Sequence, residues 1–203
     1  MTTSNSADYL VEKDPILKLI IEINPELDDR REVDGFESLA RSIISQQLST
    51  SAAGTIQRRV VNLAGPAGLT PSAVRSMSEL AMRDAGLSRA KTSYLKGIAD
   101  EIVTGRLDLD RLEELNDEDA LTRLQAVRGI GLWTAQMYVI FKLRRPDIFP
   151  LGDAGIRRAM RLLYSPDLPV DDQWFLRVSN PWKPFRSTAC RYLWGALDSG
   201  HLG

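Results

Sequence analysis

The sequence predicts an all-α fold, and three observations carry that reading. Apolar residues recur at helical spacing, most clearly at Phe36, Leu39, Ala40, Ile43 and Ile44, the i, i+3, i+4, i+7 pattern of an amphipathic helix. Helix-start and helix-stop residues punctuate the chain, as at Asp14-Pro15 and Gly86. No stretch alternates apolar and polar residues as a half-buried strand does, and there is no repeat or low-complexity tract.

Taken in order, residues 1 to about 13 are polar and are expected to be loose. Asp14-Pro15 reads as an N-cap followed by proline at the first helical position, with Ile16, Leu19, Ile20 and Ile23 on one face until Asn24-Pro25 interrupts it. After Asp34-Gly35 comes the core helix already described. It runs into the polar junction Ser45-Gln46-Gln47-Leu48-Ser49-Thr50, whose amides and hydroxyls suit the free backbone groups of two helix ends.

The next helix carries Ala52, Ala53, Ile56, Val60, Val61 and Leu63 and closes at Gly65-Pro66. Short helices over Pro71 to Met77 and Ser78 to Ala85 stop at Gly86. Ser88 to Val103 is longer, with Tyr94, Leu95, Ile98, Ile102 and Val103 inward. Asp117-Glu118-Asp119 places acid at the start of a helix buried through Leu121, Leu124 and Val127, favourable to its dipole. Ala135, Val139, Ile140 and Leu143 continue a helix to Pro146, a basic helix follows Asp153, and Pro184 to Asp198 holds Ala189, Leu193, Trp194 and Leu197 at core spacing. The expectation is roughly ten helices.

With 203 residues and 43% hydrophobic content, the chain is long enough to bury a core. One cysteine, Cys190, excludes an internal disulfide and any multi-cysteine metal site, and one histidine, His201, excludes a histidine-rich one. There is no signal peptide and no apolar run near the ~20 residues of a membrane span, so a soluble, intracellular protein with no membrane contact is expected. The formal net charge of −1 is unevenly spread. Arg123, Arg128, Lys142, Arg144, Arg145, Arg157, Arg158 and Arg161 face only Asp147 and Asp153, whereas the first forty residues lean acidic. A local basic stripe suits polyanion binding, although solvated helix faces have the same composition.

The candidate site begins at Arg128-Gly129-Ile130-Gly131, set between two helices. Two glycines bracketing an apolar residue permit a tight turn with positive φ angles and an exposed backbone. Amides from Gly129 to Thr134 then lie at a helix N-terminus, where the dipole favours a phosphate, while Ile130 anchors the turn. A plain corner between bundled helices uses the same residues. Asp153 follows Gly131 by 22 positions in Phe149-Pro150-Leu151-Gly152-Asp153. Such an aspartate serves as a helix cap, as a reacting carboxylate, or as both.

The pattern Leu124-x-x-Val127-x-Gly129-Ile130-Gly131-x-x-Thr134-Ala135 resembles the helix-hairpin-helix of non-sequence-specific DNA-binding proteins. With Pro150 and Asp153 at this distance, the chain resembles the helix-hairpin-helix, Gly/Pro-rich, Asp superfamily of DNA base-excision glycosylases. Phe36-Glu37-x-Leu39-x-x-x-Ile43-x-x-Gln46-Gln47, Gly86-Leu87-Ser88-x-x-Lys91 and Trp182-Lys183-Pro184-x-Arg186-Ser187-x-Ala189 to Tyr192-Leu193-Trp194 look like the 3-methyladenine DNA glycosylase II (AlkA) group. The likeness covers about 30 to 200 and makes this a compact version without the N-terminal mixed α/β domain of larger members.

The resemblance implies two helical lobes flanking an active-site cleft, one from about 36–148 and the other from about 1–35 plus 149–203. It makes Asp153 the catalytic carboxylate, and Trp133 and Trp194 aromatics of the base pocket, with Met137 where the family has a further aromatic. Gln47, or Leu48 as second choice, fills the space of a flipped nucleotide. Gly129, Gly131, Thr134, Lys183, Arg186 and Ser187 hold the DNA backbone. The carbonyls of Gln125, Val127 and Ile130 match positions able to hold a monovalent cation, and no other cofactor is implied. Members that also nick DNA carry a lysine where this chain has Trp133, and tryptophan forms no Schiff base. One cysteine cannot make the iron–sulfur loop of the endonuclease III branch.

The implied activity is monofunctional hydrolysis of the N-glycosidic bond of alkylated purines, of the 3-methyladenine and 7-methylguanine type, in double-stranded DNA, initiating base excision repair. The implied enzyme is a monomer, cytoplasmic or nucleoid-associated if bacterial or archaeal and nuclear if eukaryotic. A non-catalytic damage-binding or architectural DNA module, and a helical protein-interaction domain, are the competing readings.

Overall fold

A computed structural model describes residues 3–25, 27, 34–164 and 169–202. Part of the acidic lead-in, namely Glu26, Asp28, Asp29 and Glu32, lies outside the described residues. Among the described residues there is no strand, and the helices are α1 (Thr3–Lys13), α2 (Pro15–Ile23), α3 (Gly35–Ser45), α4 (Thr50–Ala64), α5 (Pro71–Ser76), α6 (Glu79–Asp84), α7 (Arg89–Val103), α8 (Asp117–Gln125), α9 (Leu132–Phe141), α10 (Ala154–Tyr164), α11 (Asp172–Ser179) and α12 (Arg186–Asp198). The all-α reading is therefore right, with twelve helices among the described residues where about ten were expected. None of the helices among the described residues is long and apolar enough to cross a membrane.

The chain forms two compact units, Glu32–Leu143 and Met1–Arg31 with Arg144–Gly203. In the first, α3 is the central element, packing on α4, α7 and α9, while α8 packs on α9 and α5 on α7. Phe36, Leu39, Ala40, Ile43 and Ile44 are all buried, as their spacing predicts. Each large apolar side chain so buried contributes about 1.5–3 kcal/mol. α9 ends at Phe141 and not at Pro146, because Arg144 turns to a left-handed φ of 55° before the proline is reached.

In the other unit α10 and α2 pack on α12, and α1 packs on both α2 and α12. Two expectations fail there. The N-terminal segment is helical, because Leu10 is fully buried and Tyr9 packs edge-on against Phe185 with its hydroxyl donating to the Lys183 carbonyl at 2.6 Å. Tertiary burial overrides the weak helix propensity of Ser and Asn. On α2 the buried face is Leu17, Ile20 and Ile21, while Leu19 and Ile23 are 58% and 56% exposed. PILKLIIEI is apolar almost all round, so spacing alone does not select the inward face. α11 was not expected; Asp171 caps it and Phe175 anchors it in the core.

Asp14 sets the rotation of α2. Its Oδ1 accepts from the amides of Ile16 (2.9 Å) and Leu17 (3.1 Å), and its Oδ2 accepts from the Tyr164 hydroxyl (2.6 Å) and the Trp182 indole N–H (2.7 Å). This carboxylate is buried, and burial followed by its contact with Asp14 pushes the Tyr164 phenol well above its ordinary pKa. Asp14→Ala removes a cap and leaves the buried Trp182 N–H and the half-buried Tyr164 hydroxyl without their acceptor, and is expected to cost about 3–5 kcal/mol in urea denaturation. A loss below about 1 kcal/mol would show that the network is dispensable.

Candidate functional site

The hairpin is built within the Glu32–Leu143 unit by the end of α8 and the start of α9. The Ile130 amide donates to the Val127 carbonyl at 3.0 Å and closes the turn, and Ile130 is buried as its anchor. Only one of the two glycines needs positive φ. Gly129 has φ 98°, and a Cβ there would sit 2.4 Å from Cγ of Tyr94 on α7, so the turn lies directly on an aromatic ring. Gly131 is instead the N-cap of α9 at φ −84° and ψ 174°, backbone angles open to any residue, with nothing within 4 Å of where a Cβ would stand. What its missing side chain leaves is open space at the N-cap position of α9, where no side chain caps the helix.

The Thr134 side chain has an internal partner, which leaves only its backbone for the expected contact. It is 1% exposed, and its hydroxyl pairs with Nε2 of Gln46 at 2.8 Å, so the side chain faces the interior. The same Gln46 amide donates to the Gly129 carbonyl at 3.3 Å. Gln46 ends α3, and the chain beyond it is exposed at Gln47, which takes a left-handed φ of 56°, and at Leu48. Lys91 on α7 donates from Nζ to the carbonyls of Ile44 and Gln46, both at 2.7 Å. Burial lowers its pKa from the ordinary lysine value. Sequence reasoning assigned neither Gln46 nor Lys91 a role, although both stand in the motifs that carry the resemblance.

Trp133 is half-buried and Met137 buried on α9. Of the three carbonyls matched to a cation position, that of Val127 accepts the Ile130 amide and retains a second lone pair. Among the described residues no cluster of His, Cys, Asp or Glu has the makings of a metal site.

In the other unit, Asp153 opens α10. It is 8% exposed, and its Oδ1 accepts from the Ile156 amide at 2.8 Å and from the Trp194 indole N–H at 3.0 Å. The carboxylate is thus both a helix cap and a group oriented by an aromatic from α12. Gly155 lies beneath: a Cβ there would stand 3.1 Å from Asp153 Oδ1 and 3.4 Å from the Trp194 ring. Burial, followed by the Asp153 charge, pushes the Cys190 thiol up, which keeps it neutral and unreactive.

Two of the residues matched to backbone contacts serve inside this unit. Arg186 forms a bidentate pair with Asp147, Nε to Oδ1 at 2.7 Å and Nη2 to Oδ2 at 2.9 Å. Ser187 is buried, with its hydroxyl accepting the Ile148 amide at 2.8 Å, and its own amide donates to the Pro146 carbonyl at 3.0 Å. Both side chains therefore fix the segment before Asp153, whereas Lys183 is exposed. The basic stripe is also partly internal: Arg157 pairs with Asp172 at 2.6 Å and, like Arg161, stacks over the Phe175 ring. Arg123 donates to the Arg106 carbonyl at 2.7 Å.

Comparison with known proteins places this geometry in context. Residues 40–184 match the sequence profile described as HhH-GPD superfamily base excision DNA repair protein. The chain is 34% identical over 182 residues to DNA-3-methyladenine glycosylase 1 of Schizosaccharomyces pombe (strain 972), covering 88% of this chain and 79% of that protein. It is 32% identical over 169 residues to the putative DNA-3-methyladenine glycosylase YfjP of Bacillus subtilis (strain 168), covering 80% of this chain and 59% of that one. Among solved structures, the S. pombe 3-methyladenine DNA glycosylase Mag1 in complex with abasic DNA has a TM-score of 0.87 at 31% identity, over 96% of this chain and 97% of that chain. DNA-3-methyladenine glycosidase from Bacillus halodurans has a TM-score of 0.79 at 34% identity, over 97% and 90%.

The two glycines of the hairpin separate experimentally. Gly129→Ala meets the Tyr94 ring and a left-handed φ and is expected to destabilise the fold by roughly 2–4 kcal/mol. Gly131→Ala meets nothing and is expected to cost about 1 kcal/mol or less. Thermal melting of both variants checks the difference, and equal losses would contradict this account of the turn.

Proposed function

Since this chain belongs to the HhH-GPD superfamily of base excision DNA repair proteins, we propose that it is a monofunctional DNA glycosylase that releases alkylated purines, 3-methyladenine and 7-methylguanine among them, from double-stranded DNA. The observation that carries the proposal is the buried Asp153 carboxylate, fixed on Oδ1 by the Ile156 amide and the Trp194 indole.

Within a duplex the N-glycosidic bond is out of reach, so the nucleotide must leave the stack at a cost of a few kcal/mol, less for a damaged pair. Gln47, on its strained and exposed turn, offsets part of this by filling the space, with Leu48 beside it. The hairpin holds the backbone through its amides: Gly131 lets a phosphate approach and Gly129 sets the turn. Thr134 contributes its amide, since its hydroxyl is engaged with Gln46. Lys183 adds a positive charge at the surface of the other unit.

Alkylation at a ring nitrogen makes the purine cationic and a good leaving group. A cation over an indole face gains ~0.5–2 kcal/mol, the role assigned to Trp133, with Met137 as an adaptable neighbour. Bond cleavage leaves positive charge on the sugar, as in glycoside hydrolysis. Asp153 stabilises that charge and orients the incoming water, while Trp194 holds the carboxylate in place. Lacking an amine at Trp133, the hairpin forms no Schiff base, and the product is an abasic site without strand nicking. The enzyme acts as an intracellular monomer in the compartment that holds DNA.

Asparagine caps a helix as well as aspartate does and keeps the oxygen facing Ile156 and Trp194. Asp153→Asn is therefore expected to fold and to bind DNA, yet to lose roughly 10²–10³-fold or more in methylated-base release, the scale of removing one electrostatic stabiliser. Alkali-labile sites in a methylated duplex measure this; wild-type release by the variant would sink the proposal, and binding without release by the wild type would point to a damage-binding module.

The carbonyls of Gln125, Val127 and Ile130 are proposed to hold a monovalent cation at the end of α8, where helix carbonyls lack intrahelical partners. Replacing potassium by tetramethylammonium at constant ionic strength is then expected to weaken duplex binding about three- to tenfold, the scale of one lost phosphate contact. Unchanged affinity would remove the cation from the account.

A further inference from the structure

The turn that carries Gln47 is held from two directions by groups distant in sequence. α3 ends with carbonyls that have no intrahelical donor and lie at the negative end of its dipole. The Lys91 ammonium spans two of them, at Ile44 and Gln46, each at 2.7 Å. A cation closing a helix end is ordinary, but here it fixes the residue immediately before Gln47, whose φ of 56° is a conformation that a non-glycine side chain rarely adopts. Gln46 in turn points its side chain at the hairpin, with Nε2 at 3.3 Å from the Gly129 carbonyl and 2.8 Å from the Thr134 hydroxyl. One short network therefore joins α7, the exposed turn and both sides of the hairpin, all within the Glu32–Leu143 unit.

We propose that Lys91 and Gln46 are positioning residues that lock the Gln47 turn to the hairpin, so that gripping a DNA phosphate and inserting Gln47 into the base stack happen as one docking step. The proposal rests on the DNA glycosylase reading and adds to it: neither side chain touches the reacting atoms. Without Lys91 the carbonyls of Ile44 and Gln46 turn to water, the Gln47 turn keeps only the Leu48 amide to Ser45 carbonyl bond and the Gln46 side chain to hold it, and it relaxes. The hairpin still binds, but its position no longer dictates where Gln47 goes. Burial of the ammonium, which lowers the Lys91 pKa, agrees with a fixed role in place of a mobile surface charge.

The test separates insertion from chemistry. A duplex containing an abasic site next to 2-aminopurine reports unstacking by fluorescence, whether or not the protein excises a base. At saturating protein, Lys91→Met is expected to bind within about threefold of wild type and to give less than half of its fluorescence change. Release of 7-methylguanine from a fully paired site is expected to fall about tenfold more than release from an unpaired site, the scale of one lost charge-assisted hydrogen bond. Lys91→Arg, which keeps the charge and two donors, is expected to recover most of both signals. Gln46→Met, which keeps length and removes the amide, is expected to behave like Lys91→Met, and it decides the matter if Lys91→Met does not fold. A wild-type fluorescence change in both variants, or equal losses on paired and unpaired sites, overturns the proposal. Failure of the wild type to release any methylated base defeats the functional reading instead, while the fluorescence result still judges the coupling.

Discussion

A helix leaves its first amides and last carbonyls without partners, and meeting that demand shapes this molecule more than any other constraint. Among the described residues from α2 to α11, every α-helix start except one is closed by a side chain of the preceding residue: Asp14, Asp34, Ser49, Thr70, Ser78, Ser88, Asn116, Asp153 and Asp171. α12 is closed from a distance, by Asp147 and the Pro146 carbonyl. The exception is α9, which opens on Gly131 with no capping side chain. Against so regular a background, the α9 start stands out, and it is the start to which the proposed function assigns the DNA phosphate.

The same demand fixes one oxygen of the carboxylate at position 153. It has a structural duty at the start of α10, and the Trp194 indole N–H on α12 donates to the same oxygen. Arg186 and Ser187 secure the preceding segment by binding Asp147 and Ile148. Arg186 and Ser187, which the resemblance matches to DNA-backbone contacts, thus also support the segment before Asp153. A group that meets developing charge works best when its surroundings need not reorganise, and in the proposed reaction capping and the Trp194 contact fix the Asp153 carboxylate for that purpose.

How much of this was legible depended on distance along the chain. α3 was clear because its stripe from Phe36 to Ile44 is a single narrow face; the inward face of α2 was not, because PILKLIIEI has apolar residues on nearly every side and Asp14 meets Tyr164 and Trp182 some 150 and 168 positions later. α1 was missed since its burial depends on Leu10 finding a core built mainly by the C-terminal third. In the site, local features such as the Gly129 turn and the Asp153 cap could be read directly. The partners of Gln46 and Lys91 could not, being fixed only when α3, α7 and the hairpin come together. Gly131 was read half correctly: the sequence marks it as special, and the reason is open space, not backbone angle.

Asp153 has a further consequence for how such a chain can change over generations. In the proposed reaction one carboxylate serves scaffold through Oδ1 and chemistry through its charge, so most replacements at this position are penalised twice, in folding and in repair. Asparagine is the exception, reached from either aspartate codon by a single nucleotide transition. The easiest evolutionary exit from catalysis is therefore also the quietest, leaving a well-folded descendant that still occupies damaged DNA and shields it from other repair enzymes. A lineage that dispenses with the chemistry while keeping the grip should carry its signature at this one position before it accumulates changes anywhere else.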